Sequence, residues 1–164
     1  MSSYGTLAAS KTYHAERGNT AWAAADDADL TIALLRGSEY VDGRYRAAFP
    51  GYKTGERAQV REWPRTGATD ASGYLIAEDA EPVEVEYATY EAALRELATP
   101  GSLMPDVTPA TQIKRERIEG IIDTEYVTPS GAASARPVIA VIDAIMAPLI
   151  GSGSSPFAGS SVRS

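Results

Sequence analysis

Apolar residues recur at spacings of three and four along most of this chain, which predicts a mainly α protein. Residues 6–18, TLAASKTYHAERG, read as a short helix. Thr6 stands at the N-cap, Tyr13 is the apolar anchor, and Gly18 sits where a glycine ends a helix. Trp22 follows on the next turn. His14 reads as a solvent-facing or locally bonded residue, since no second metal-ligating histidine or cysteine accompanies it in the sequence.

A longer helix is predicted from about Asp27 to Phe49. Asp26, Asp27 and Asp29 suit its N-terminus. Leu30, Leu34, Gly37, Val41, Tyr45 and Ala48 mark one buried face, and Gly37 and Gly43 weaken the helix, so a bend or close helix contact is expected there. From Tyr52 to Glu81 no period holds, and Gly55, Pro64, Gly67 and Gly73 punctuate a long loop. Trp63, held extended by the proline after it, is expected to plug the core and pin that loop, with Arg61 and Arg65 flanking it at the surface. Pro82 then opens the clearest helix, in which Val83, Tyr87, Tyr90, Leu94 and Leu97 form a predicted packing seam. The Tyr87 and Tyr90 pair reads as core packing with wet hydroxyls.

Periodicity changes at residues 112–127. Ile118, Gly120, Ile122, Thr124 and Tyr126 alternate with charged residues, which indicates a half-buried strand or a tight hairpin about Gly120. Such a segment needs backbone partners. It folds on itself, pairs with the loop, or pairs with a neighbouring subunit, where Ile118, Ile122 and Tyr126 would line the contact. The last helix, from about Ser134, carries Pro137 in its first turn. Val138, Ile139, Val141, Ile142, Ile145, Met146 and Leu149 nearly encircle it, leaving Asp143 as its charge. Burying those side chains is worth roughly 10 to 20 kcal/mol gross. This helix is therefore central to a core or clamped by a partner. The Gly/Ser-rich segment 151–164 does not have the composition to order alone, and Phe157 and Val162 are its apolar handles. The fold expected is a small helical bundle over residues 1–150 with a long loop, a short β strand or hairpin, and an extended C-terminal tail.

The 164 residues carry a formal net charge of −7, unevenly spread. Between Arg44 and Arg65 lie six basic and two acidic residues, a local +4 that leaves −11 for the rest. Arg44, Lys53, Arg57, Arg61 and Arg65 are thus candidates for contact with DNA or an acidic partner, with Tyr45, Phe49, Tyr52 and Trp63 interleaved as stacking groups. The acidic remainder disfavours general nucleic-acid binding.

Catalytic signatures do not emerge. Cysteine is absent and His14 is the single histidine, which removes disulfides, thiol chemistry and any zinc or copper set. GxSxG, P-loop and GxGxxG patterns are missing. No cofactor and no enzymatic activity are expected. The longest apolar run is too short for a bilayer, and the first ten residues lack a secretory pattern.

The order of the pieces carries a resemblance. Tyr13-His14-Ala15-Glu16-Arg17-Gly18 and Trp22 are followed by Leu34-Leu35-Arg36-Gly37-Ser38-Glu39-Tyr40-Val41 and Phe49-Pro50-Gly51. Next come Trp63-Pro64-Arg65, Gly73-Tyr74, Pro82 with Ala88-Thr89-Tyr90-Glu91-Ala92-Ala93, Glu125-Tyr126 and Pro148-Leu149. Over about residues 4 to 150 this resembles a family of tailed-phage and prophage proteins labelled DnaT-like single-stranded-DNA-binding proteins. Their helical fold and gene neighbourhood are similar to those of siphophage head-tail connectors, or adaptors.

The resemblance implies, first, a structural adaptor in the virion neck, assembled in the host cytoplasm. Such a protein forms a ring with itself, usually of twelve copies, between the portal and the stopper or tail, with genomic DNA passing through. Val138, Ile142, Ile145, Met146, Leu149, Phe157 and Val162 would then meet the portal. The alternative it implies is single-stranded-DNA binding through the Arg44–Arg65 segment. Charge balance places the adaptor first, and neither reading involves a membrane.

Overall fold

A computed structural model describes residues 2–105 and 138–150, together with the backbone of two strands between them, Arg115–Ile118 and Ile122–Glu125. Helix α1 spans Leu7–Glu16, and the Thr6 side chain accepts a hydrogen bond from the Ala9 amide, as an N-cap should. Gly18 turns the chain at φ 69°. A short helix not predicted from the sequence, α2, spans Thr20–Ala24 and buries Trp22. Its five residues are too few to display a period.

Helix α3 runs Asp27–Tyr45, ending one turn before the expected Phe49. Its predicted face is real, since Leu30, Leu34, Gly37, Val41 and Tyr45 are buried. Helix α4, Val83–Ala98, starts at Pro82 as its N-cap. Its seam differs from the prediction. Val83 and Tyr87 are exposed, and Leu94 and Leu97 only half-buried. The buried stripe is Val85, Ala88, Thr89, Ala92, Ala93 and Glu96, with Tyr90 beside it. The reason is the closeness of α3: a β-carbon on Gly37 would lie 2.7 Å from the Thr89 carbonyl oxygen and 2.9 Å from the Ala93 amide nitrogen. Only small side chains fit such a contact, so size rather than hydrophobicity chose the seam.

His14 is buried, contrary to the solvent-facing option. Its Nε2 lies 3.2 Å from the Tyr90 carbonyl and its Nδ1 2.9 Å from the Asn19 amide. A carbonyl only accepts, so Nε2 carries the proton and Nδ1 accepts from Asn19. The ring is therefore neutral, and it packs on Trp22 at 4.4 Å between centroids.

Helix α5, Ala140–Ile150, packs on α4. Val138 and Ile139 precede it outside helical conformation, so the first turn lies later than Pro137; Ser134 and Pro137 fall outside the described residues. Ile142, Met146 and Leu149 are buried with Tyr4, Tyr40, Val41, Phe49, Trp63 and Leu103 in the larger of the two core clusters among the described residues. This corrects the expectation that these three side chains face a portal. Buried within their own chain, they contribute roughly 5 to 9 kcal/mol gross. Val138 is exposed and Ile145 half-buried, while Phe157 and Val162 fall outside the described residues.

The strands β1 (Tyr52–Lys53) and β2 (Arg65–Thr66) pair antiparallel within the long loop. The strands β3 (Arg115–Ile118) and β4 (Ile122–Glu125) form an antiparallel hairpin, with Ile118 opposite Ile122. The predicted strand thus folds on itself, with a partner in the same chain. Tyr126 and Gly120 fall outside the described residues. Among the described residues no helix is long and apolar enough to cross a membrane.

Candidate nucleic-acid interface

The loop between α3 and α4 is organised from below by residues distant in sequence. Tyr4 is fully buried, and its hydroxyl donates to Asp42 Oδ1 at 2.5 Å. The phenolic oxygen in turn accepts from the backbone amides of Glu62 at 2.9 Å and Trp63 at 3.1 Å. Arg61 reaches Asp42 Oδ2 at 3.3 Å and the Ser2 carbonyl at 2.7 Å. Residues 2–4, α3 and the loop are thereby tied at one point. Burial pushes the Tyr4 hydroxyl far above its ordinary range, with the Asp42 carboxylate adding to it, so the phenol stays protonated. Burial also raises the Asp42 carboxyl, against the opposing pull of Tyr4 and Arg61.

Trp63 does plug the core. It is 1% exposed and packs edge-on against Phe49 at 5.7 Å. Its peptide bond to Pro64 is cis. Arg61 and Arg65, expected at the surface beside it, are buried instead. Arg65 donates to the Pro50 and Gly51 carbonyls at 2.6 Å each and to Glu62 Oε2 at 3.0 Å. A planar guanidinium with five donors suits a loop whose carbonyls have no ladder to join.

Arg44 is buried too, bonded to both oxygens of Asp143 on α5 at 3.0 and 3.1 Å. Tyr45 donates to the same carboxylate. The structure therefore divides the five candidate cations. Arg44, Arg61 and Arg65 serve internal ion pairs and carbonyls, which corrects their assignment as contacts for DNA or an acidic partner. Lys53 is half-buried, and Arg57 is exposed on a short 3-10 turn, Glu56–Ala58.

The stacking candidates divide in the same way. Tyr45, Phe49 and Trp63 are buried, while Tyr52 is 79% exposed. A second exposed ring, Tyr74 at 73%, carries no sequence signal that sets it apart from a turn residue. Asp70 Oδ1 accepts from the Ser72 and Tyr74 amides at 2.8 Å each, an Asx-type turn that presents Tyr74. The Ala71 amide caps α5 by donating to the Pro148 carbonyl at 2.9 Å. Val60 and Leu75 are likewise exposed on this loop. One surface cation also escaped the sequence reading: Arg46, just past the end of α3, whose side chain is 63% exposed. Its place inside a basic run hid it, because burial alone distinguishes it from Arg44.

Among the described residues no group of histidine and acidic side chains is placed to hold a metal ion. What the loop offers is two open aromatic rings and a few cations on an acidic body. A family model described as "Putative DnaT-like ssDNA binding protein" matches residues 1–164. No curated protein and no solved structure matches the chain.

Proposed function

Since the chain belongs to the family described as DnaT-like single-stranded-DNA-binding proteins, we propose that it binds single-stranded DNA, through the surface of the loop between α3 and α4. The family match over the full chain carries this reading. It reverses the ranking that charge balance alone suggested. The loop contributes the two components such binding needs: Tyr52 and Tyr74 as open stacking faces, and Arg46, Lys53 and Arg57 as cations for the backbone. With a net charge of −7, affinity is modest and strongly salt-dependent. The role is binding, with no catalytic step.

Fluorescence anisotropy of a labelled oligothymidylate tests this at low and high salt. The expected result is saturable binding that weakens as salt rises. Absence of any anisotropy change up to roughly 100 µM protein, the weak end of non-specific affinity, would sink the reading.

A second reading, the head-tail connector, is favoured by a separate observation. Tyr52, Val60, Tyr74 and Leu75 expose a run of large apolar groups on a single loop, which also suits a protein partner. In this reading the chain forms a ring in the virion neck and meets portal and stopper or tail. Mixing the protein with portal rings and measuring stoichiometry by native mass spectrometry distinguishes it. Truncation after Ile150 would leave the monomer folded and weaken ring or portal assembly; unchanged assembly removes the tail from that role.

A further inference from the structure

Three cations converge on one carboxylate at the base of the loop. Arg65 Nη1 lies 3.0 Å from Glu62 Oε2, while Lys53 Nζ at 3.4 Å and Arg46 Nε at 3.9 Å approach the other oxygen, Oε1. These four side chains together carry a local charge of +2 on a molecule whose total is −7. The three cations are not equivalent. Arg65 is buried and spends its donors on Glu62 and on the Pro50 and Gly51 carbonyls, so it works as a clamp that fixes the carboxylate. Lys53 makes one further bond, to the Gln59 carbonyl at 3.1 Å. Arg46 makes one, from Nε to the Asp42 carbonyl at 3.3 Å, and among the described residues its two terminal amino groups have no acceptor. The Arg46 side chain is 63% exposed.

We propose that Arg46 and Lys53, held side by side by Glu62, form a receiving notch for one backbone phosphate of single-stranded DNA. The inference rests on the DNA-binding reading above and gives it a site. Both cations approach the same Glu62 oxygen, so they stand close enough for the oxygens of one phosphate to accept from each. Glu62 plays two parts. It positions the pair, and its charge weakens the notch. Arg46 lies outside the set that the basic run suggested, and it takes the place there of the buried Arg44.

The test uses the full-length protein, a labelled oligothymidylate and a salt titration. Arg46→Ala/Lys53→Ala is expected to weaken binding about ten-fold or more. It should also lower the slope of log affinity against log salt by about 1.4, near 0.7 for each cation withdrawn from the single strand. Lys11→Ala/Arg17→Ala, which removes the same charge elsewhere, is expected to leave the slope unchanged. Glu62→Gln is expected to tighten binding, because the notch gains a net positive charge. Thermal melts accompany each variant, and Arg46→Gln/Lys53→Gln replaces the alanine pair if that pair fails to fold. Inorganic phosphate, compared with chloride at equal ionic strength, should compete with the oligonucleotide. If the wild-type protein binds DNA and the double variant binds it equally well, the notch is wrong and the DNA-binding reading survives. If the control pair weakens binding as much as the double variant, general charge is responsible and the notch is likewise wrong. If the wild-type protein binds inorganic phosphate but no oligonucleotide, the notch is a free-anion site and both proposals fall. No binding of either overturns both.

Discussion

Tyr4 and Asp42 meet through a 2.5 Å hydrogen bond in the interior, and the backbone amides of Glu62 and Trp63 donate to the same phenolic oxygen. One hydroxyl therefore serves three partners from two segments. Tyr4→Phe would leave a carboxylate oxygen with less bonding, the Trp63 amide without its acceptor, and the Glu62 amide with only its 3.4 Å contact to Asp42 Oδ1. A loss of roughly 1 to 3 kcal/mol in unfolding free energy is expected from urea titration. A change below about 0.5 kcal/mol would show that water replaces the phenol.

Trp63 is almost wholly removed from solvent and packs on Phe49. Trp63→Ala should cost roughly 3 to 5 kcal/mol, the range for truncating a large buried ring. Chemical denaturation measures it. Weakened partner binding without any loss of melting temperature would contradict the role of the ring as a core plug.

Gly37 sits where α3 touches α4. Gly37→Ala would place a β-carbon 2.7 Å from the Thr89 carbonyl oxygen, closer than any real contact, against backbone that cannot rotate away. The helices must separate, and a destabilisation of roughly 1 to 3 kcal/mol is expected despite the better helix propensity of alanine. A more stable variant would mean that the two helices are less tightly apposed.

His14 makes stability depend on pH. Burial holds its pKa below the ordinary value, with the Arg17 charge adding to that and Glu91 and the Tyr90 carbonyl opposing. The unfolded chain therefore takes up the proton first as pH falls. Stability is complete above the unfolded value, about 6.5, and is lost as pH drops from there toward the lowered folded value. Because His14 is the single histidine, urea midpoints measured between about pH 7.5 and 5.5 should fall with acidification, and His14→Gln should flatten that slope. Burial raises the Asp42 and Glu86 carboxyls, which opposes this trend, so the difference between the two proteins is the readout; identical pH slopes for wild type and His14→Gln would refute the neutral, buried assignment.

Arg44 and Tyr45 fasten α5 to α3 through Asp143. Asp143→Ala should speed amide exchange in α5 more than in α3 and cost about 1.5 to 3 kcal/mol, the scale of charged hydrogen bonds. Uniform exchange across both helices would mean that α5 is held by its apolar face alone.

The sequence by itself settled what depends on neighbours a few residues apart. Thr6 caps α1, Pro82 starts α4, and the repeat through Leu30, Leu34, Gly37, Val41 and Tyr45 marks the buried face of α3. Trp63 before Pro64 was legible as a large ring on a stiff segment, suited to plug a core or anchor a partner, and its burial against Phe49 is the first of these. Tertiary structure alone decided which of the basic residues are spent and which are open. Arg44 and Arg46 look alike in the chain, yet one meets Asp143 almost a hundred positions away and the other meets solvent. It also decided that α4 packs through Ala88, Ala92 and Ala93 rather than through its larger residues, since Gly37 brings a second backbone too near for anything bulkier. Periodicity records which face of a helix is buried; the distance to the neighbouring helix, and the pairing of charges across the fold, arise only once the segments are packed together.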